Sequence, residues 1–239
     1  VFAKLDAAEK DGLDVRFDCY PYTAGMSSLG VLLPTWAFEG GVAPMLERIK
    51  VPENRARIIR EMEEGLPGWN NFYKMSGGWD AITIASVMTE QNKYIEGMNI
   101  ADIAKERGED PYDTFFRLLE EEKGKIQFIT FTQGEEDTDK VVTHPKTCIG
   151  SDSMTFSHEG IMSQGKPHPR AFGTMGRIFS YYVKEKHMLT FEDAVRKITH
   201  LPATYLGIDA TRGLIKEGYF ADIVVFDPDE IADKATYID

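Results

Sequence analysis

Cysteine is scarce. The 239-residue sequence holds two, Cys19 and Cys148, with no CxxC spacing. That argues against a disulfide framework and a zinc knuckle and fits a reducing, cytoplasmic setting. No apolar run approaches the ~18 residues of a membrane helix, and no signal-peptide layout is present, so no membrane partner is expected. Basic residues are outnumbered, 27 Lys plus Arg against 39 Asp plus Glu, for a formal charge of -12. Such a surface repels phosphate backbones, and nucleic acid is not an expected partner. Paired histidines are missing too: His144, His158, His168, His187 and His200 form no HxH or HxxxH that could clamp a metal from one element. An initial methionine is also absent. Val1, Leu5 and Ala8 stand at helical spacing ahead of Gly12, so the chain reads as a piece of a longer protein.

Regular elements are nonetheless legible. "DVRFDCYPYTAG" alternates apolar and polar residues and reads as a strand entering a turn. "PENRARIIREMEEG" carries proline near its start and glycine at its end, as a helix does. Asn99, Asp110 and Thr190 are N-cap candidates for three further helices, and Pro202 for the start of another. "KIQFITF" and "KTCIGSD" read as strands, with a short helix over "TQGEEDTDKVV" between them. Strands separated by helices predict a parallel α/β arrangement. The last stretch, "GLIKEGYFADIVVFDPD", instead reads as a β-hairpin.

Four positions could carry chemistry. Asp152 follows an apolar strand, at the end where α/β barrels place catalytic groups, and could ligate a metal or shuttle a proton; equally, it could cap the next turn. Arg170 follows "KPHP", whose prolines stiffen the approach, and a fixed guanidinium suits bidentate capture of a carboxylate; a surface ion pair is the plainer role. Tyr20 and Tyr22 flank a proline where strand meets turn, so a phenol there could stabilise a developing oxyanion or serve only as packing. His158 and His168 lie between the acid and the arginine. His168 and Tyr22 join Arg170 as candidate substrate contacts.

Taken together, "IGSD", "KPHPRAFGTMGRIFSYYV", "TFEDAVRKITHLPATYLG" and "GLIKEGYFADIVVFDPDEIAD" resemble the C-terminal part of the D-aminoacylases, the N-acyl-D-amino-acid deacylases of the amidohydrolase superfamily. The resemblance implies an α/β fold: the later part of a metal-dependent TIM-like barrel, a lid insertion and part of a small β-sandwich. It implies a zinc hydrolase of small N-acyl-amino-acid substrates, in which Asp152 holds the metal and relays the proton, Tyr20 stabilises the oxyanion and Arg170 receives the α-carboxylate. The family's other metal ligands have no counterpart here, so the chain alone is expected to be inactive. Ser153 and the long "MTFSHEGIMSQGK" loop depart from the family's pattern. The expected division is a barrel strand and helix over 1–30, a lid over 31–80, further barrel elements over 81–207 and sandwich strands over 208–239. An incomplete barrel would expose strand edges, to be covered by another copy or by the missing part. The rival readings are a cyclic-amide hydrolase of the hydantoinase or dihydroorotase kind, and a catalytically dead scaffold.

Overall fold

Capping chemistry sets the helix starts where the sequence places them. The side chains of Asn99, Asp110 and Thr190 accept hydrogen bonds from the backbone amides of Asp102, Tyr112 and Asp193, satisfying donors that a first helical turn leaves open. In chain order, a computed structural model describing residues 2–237 shows α1 (Phe2–Lys10), β1 (Phe17–Cys19), β2 (Gly25–Ser28), α2 (Val42–Ile49), α3 (Pro52–Glu64), α4 (Phe72–Ser76), β3 (Thr83–Ser86), α5 (Ile100–Arg107), α6 (Pro111–Glu121), β4 (Gln127–Thr130), α7 (Glu135–Thr143), β5 (Thr147–Ile149), α8 (Arg170–Arg177), α9 (Phe191–Ile198) and α10 (His200–Tyr205). A π-helical stretch, Ile178–Glu185, continues α8. The expected opening helix is present as α1, and Val1, expected at its start, lies outside the described residues.

Two compact units divide the chain. One comprises Val1–Tyr22, Gly134–Phe156 and Pro169–Ala235. In it β1 and β5 pair in parallel, Phe17 opposite Thr147 and Cys19 opposite Ile149. Ile149, Ile178, Phe179, Tyr182 and Ala194 form its buried core, with Phe226 packed at the edge. Lys197 is wholly buried and donates to the carbonyls of His144 and Thr147, fastening α9 to the residues around β5; burial lowers its pKa.

The other unit comprises Thr23–Gln133, Ser157–His168 and Thr236–Asp239. Its sheet has the order β2-β4-β3 and is antiparallel throughout, so the parallel arrangement expected of strands separated by helices holds for β1 and β5 alone among the described strands. Residues 81–133, expected with the barrel, cluster here with 31–80. Period-two alternation marks a strand without fixing the direction of its neighbour.

A carboxylate anchors this second unit. Glu122, 2% exposed, accepts hydrogen bonds from the amides of Met88 and Thr89, from the Thr89 hydroxyl and from Asn92 Nδ2. Burial pushes its carboxyl up, and these bonds outweigh it, so the folded pKa lies below the ordinary 4.5. A depressed carboxylate stabilises above its unfolded pKa, and that contribution fades as pH falls through the folded value. Glu122→Ala is expected to cost about 2 to 3 kcal/mol at neutral pH. The difference from wild type should shrink in acid, as urea unfolding at several pH values would show.

Among the described residues the expected terminal hairpin does not form. Residues 219–227 run without strand pairing, and Val224 and Val225 are 81% and 93% exposed. Their β-branched pattern suits a sheet, but no described strand lies alongside to complete the hydrogen bonds a strand requires.

Candidate active site

The site begins where β5 ends. Gly150 extends the pairing with β1 by donating its amide to the Cys19 carbonyl at 3.0 Å. A Cβ at Gly150 would stand 2.8 Å from Asp18 Oδ2, so glycine lets the Asp18 carboxylate lie against this strand end. Two residues on, Asp152 adopts φ +47°, a left-handed conformation that aspartate tolerates better than most residues and that recurs at functional sites.

Arg170 is the first residue of α8, directly after Pro169, rather than part of a loop. Its Nη1 lies 2.9 Å from Asp152 Oδ2, and its guanidinium sits 4.6 Å from the centroid of the Tyr20 ring. The pair is lopsided: the arginine side chain is 8% exposed and the aspartate 69%. An ion pair with one partner so open contributes about 0 to 1 kcal/mol. A second carboxylate arriving from solvent can therefore take the place of Asp152 on the guanidinium at little cost.

Three of the residues singled out from the sequence thus meet, Asp152, Arg170 and Tyr20. Tyr22 and His168, expected as substrate contacts, are turned to other tasks. Tyr22 is 5% exposed and donates its hydroxyl to Asp233 Oδ2 at 2.8 Å. His168 is 1% exposed and belongs to the second unit, where Nε2 donates to the Ala24 carbonyl at 2.9 Å. Burial with satisfied polar atoms suits a supporting role for both. Cys19 is shielded as well: loss of solvent pushes its thiol up to about 12, so it stays protonated and inert.

Sequence inspection missed Asp233 and Arg177, which brace this region. Arg177 Nε donates to the Pro21 carbonyl at 2.6 Å, and its Nη1 lies 3.8 Å from Asp233 Oδ2. The legible trace was a pair of glycines in α8: a Cβ at Gly173 would fall 1.9 Å from Asp233 Oδ1, and one at Gly176 would fall 2.7 Å from the Ala232 carbonyl oxygen.

The stretch that carries this acid and this arginine is similar to known proteins. The amidohydrolase family model matches residues 146–237, which span this whole stretch. A D-aminoacylase from Alcaligenes xylosoxydans xylosoxydans is 36% identical over 143 residues, 60% of this chain and 27% of that protein. The chain is similar to part of the D-aminoacylases. The D-aminoacylase likeness extends to the fold. The crystal structure of an N-acyl-D-glutamate deacylase from Bordetella bronchiseptica, complexed with zinc and a phosphonate mimic of the reaction's tetrahedral intermediate, superimposes with a TM-score of 0.68 at 29% identity. It is matched over 99% of this chain and 38% of its own. The chain therefore carries part of a TIM-like amidohydrolase fold and spans about a quarter to two fifths of these relatives' length. A shorter match, 55% identity over 42 residues, covers 18% of the chain and 9% of a dihydroorotase from Clostridium acetobutylicum.

Zinc in the deacylase relative raises the question of ligands here. Among the described residues no three His, Cys, Asp or Glu side chains gather as a cation site. Asp152 faces a guanidinium, and a zinc site commonly draws three or four protein ligands. The residues present do not by themselves fit a zinc cage. Among the described helices, none is long and apolar enough to cross a membrane.

Proposed function

We propose that this chain supplies the proton-relaying carboxylate and the anion clamp of a deacylase acting on N-acyl-D-amino acids. The observation that carries the reading is the Asp152–Arg170 ion pair laid over Tyr20, with its carboxylate open and its guanidinium buried. In the free state the two side chains hold each other. When a substrate arrives, its α-carboxylate displaces that of Asp152 from Arg170, fixing the substrate by a charge-assisted contact and releasing the aspartate beside the amide. Asp152 then takes a proton from the attacking water and returns it to the nitrogen as the C–N bond breaks, yielding a carboxylic acid and a free D-amino acid. Tyr20 supports the guanidinium with its ring and offers its phenol to the carbonyl oxygen as that oxygen gains charge.

The short dihydroorotase match favours a second reading, opening of a cyclic amide. Substrate choice separates the two. Assays of the protein carrying this chain against N-acetyl-D-amino acids, their L-enantiomers, hydantoin and dihydroorotate should show release of the free D-amino acid alone. Turnover restricted to the cyclic compounds would reverse the assignment.

A further inference from the structure

We propose that Asp233 is a positioning residue for the arginine clamp, acting through Tyr22 and Arg177 to hold Tyr20 beneath the Arg170 guanidinium. The proposal rests on the reading of Arg170 as the carboxylate-binding group. Asp233 lies 211 positions from Tyr22 in the chain, yet its side chain is only 7% exposed and its partners belong to the clamp's supports.

Oδ2 accepts from the Tyr22 hydroxyl at 2.8 Å and lies 3.8 Å from Arg177 Nη1. Oδ1 accepts from the Ala235 amide at 3.0 Å, and the Asp233 amide donates to Ser180 Oγ at 3.3 Å, so the carboxylate is itself held still. Arg177 carries the same restraint onward. Its Nε donates to the Pro21 carbonyl at 2.6 Å, and its guanidinium lies 4.9 Å from the Tyr22 ring centroid. Proline fixes φ between the two tyrosines, so gripping Pro21 and Tyr22 orients Tyr20 as part of one stiff turn.

The same hydroxyl touches the other side of the clamp. Tyr22 Oη lies 3.5 Å from the Pro169 carbonyl oxygen, which also accepts the amides of Phe172 and Gly173 and thereby starts α8. With Asp233 present, the hydroxyl is drawn toward the carboxylate. Without it, the pull of the Pro169 carbonyl on the hydroxyl is unopposed by the carboxylate, and Tyr22 moves toward the residue preceding Arg170. The Tyr20–Arg170 stack then loses its register. Gly173 shows how close the fit is, because a Cβ there would stand 1.9 Å from Asp233 Oδ1 and 2.5 Å from Tyr22 Oη.

The test is the side-chain Nε–Hε NMR signal of Arg170 in the protein carrying this chain, assigned by its loss in Arg170→Lys. Tyr20 shifts this signal upfield by its ring current, as Tyr20→Leu would show. Asp233→Ala and Tyr22→Phe are each expected to move it back toward the unstacked position, while Asp233→Asn, which keeps an acceptor for Tyr22, retains most of the shift. An Arg170 signal unchanged in both Asp233→Ala and Tyr22→Phe would overturn the proposal. Should Asp233→Ala fail to fold, Tyr22→Phe, which loses one hydroxyl, decides on its own. In deacylation assays Asp233→Ala should raise KM about tenfold with kcat within about twofold. A fall in kcat at constant KM would count against positioning of the clamp. Absence of deacylation by the wild-type protein would remove the functional reading, and the NMR signal would still decide whether Asp233 sets the stack.

Discussion

In the protein carrying this chain, and on the proposed reading, Asp152→Asn is expected to lower kcat for N-acyl-D-amino acid hydrolysis by about 10²- to 10⁴-fold, the range attributed to a positioned general acid or base. Asparagine preserves the volume of the side chain and an oxygen for Arg170, so the clamp survives while the proton acceptor is lost. KM should therefore move little, and kcat/KM should fall in step with kcat, as for a group that acts only in the transition state. A steady-state comparison of wild type and variant at several pH values would check this. Retention of more than about a tenth of wild-type kcat would be too much for a relay residue and would assign Asp152 to turn capping instead.

Arg170→Ala has the complementary signature. Removing a charged hydrogen-bonding partner of the substrate costs about 1.5 to 3 kcal/mol, or roughly 10- to 100-fold in affinity. The rise should appear in KM. It should vanish for substrates whose α-carboxylate has been converted to a carboxamide, since these never had an anion to present. Arg170→Lys should recover only part of the loss. Lysine keeps the charge, but it lacks the planar fork that engages a carboxylate and that sits 4.6 Å from the centroid of the Tyr20 ring. Equal KM values of wild type and Arg170→Ala for the free acid would place the carboxylate elsewhere.

The legible parts of the site were those set by local chemistry. Caps at Asn99, Asp110 and Thr190 depend on residues two or three positions away, and the sequence displays them together. Asp152, Arg170 and Tyr20 could be picked out because each ends or begins an element at a strand end or beside a proline. Their meeting, however, depends on β1 pairing with β5 across more than a hundred residues. Helix α8 was not foreseen as an element. Gly173 and Gly176 weaken its helical signature, and their purpose is visible only when the backbone at Ala232 and Asp233 lies against them. The terminal hairpin failed for the opposite reason: its β-branched residues are locally persuasive, but a strand is completed by a neighbour. That Tyr22 and His168 are buried could not be read from the sequence, because adjacency along the chain says nothing of which way a side chain turns.

The glycine notch in α8 also bears on how this protein can be recombined with its relatives. A chimera that imports a foreign tail while keeping Gly173 and Gly176 retains the groove but need not retain its occupant; one that imports a foreign α8 bearing alanines closes the groove on the native tail. Helix and tail are thus a matched pair, and a crossover point between residues 177 and 232 would separate parts that have to be inherited together.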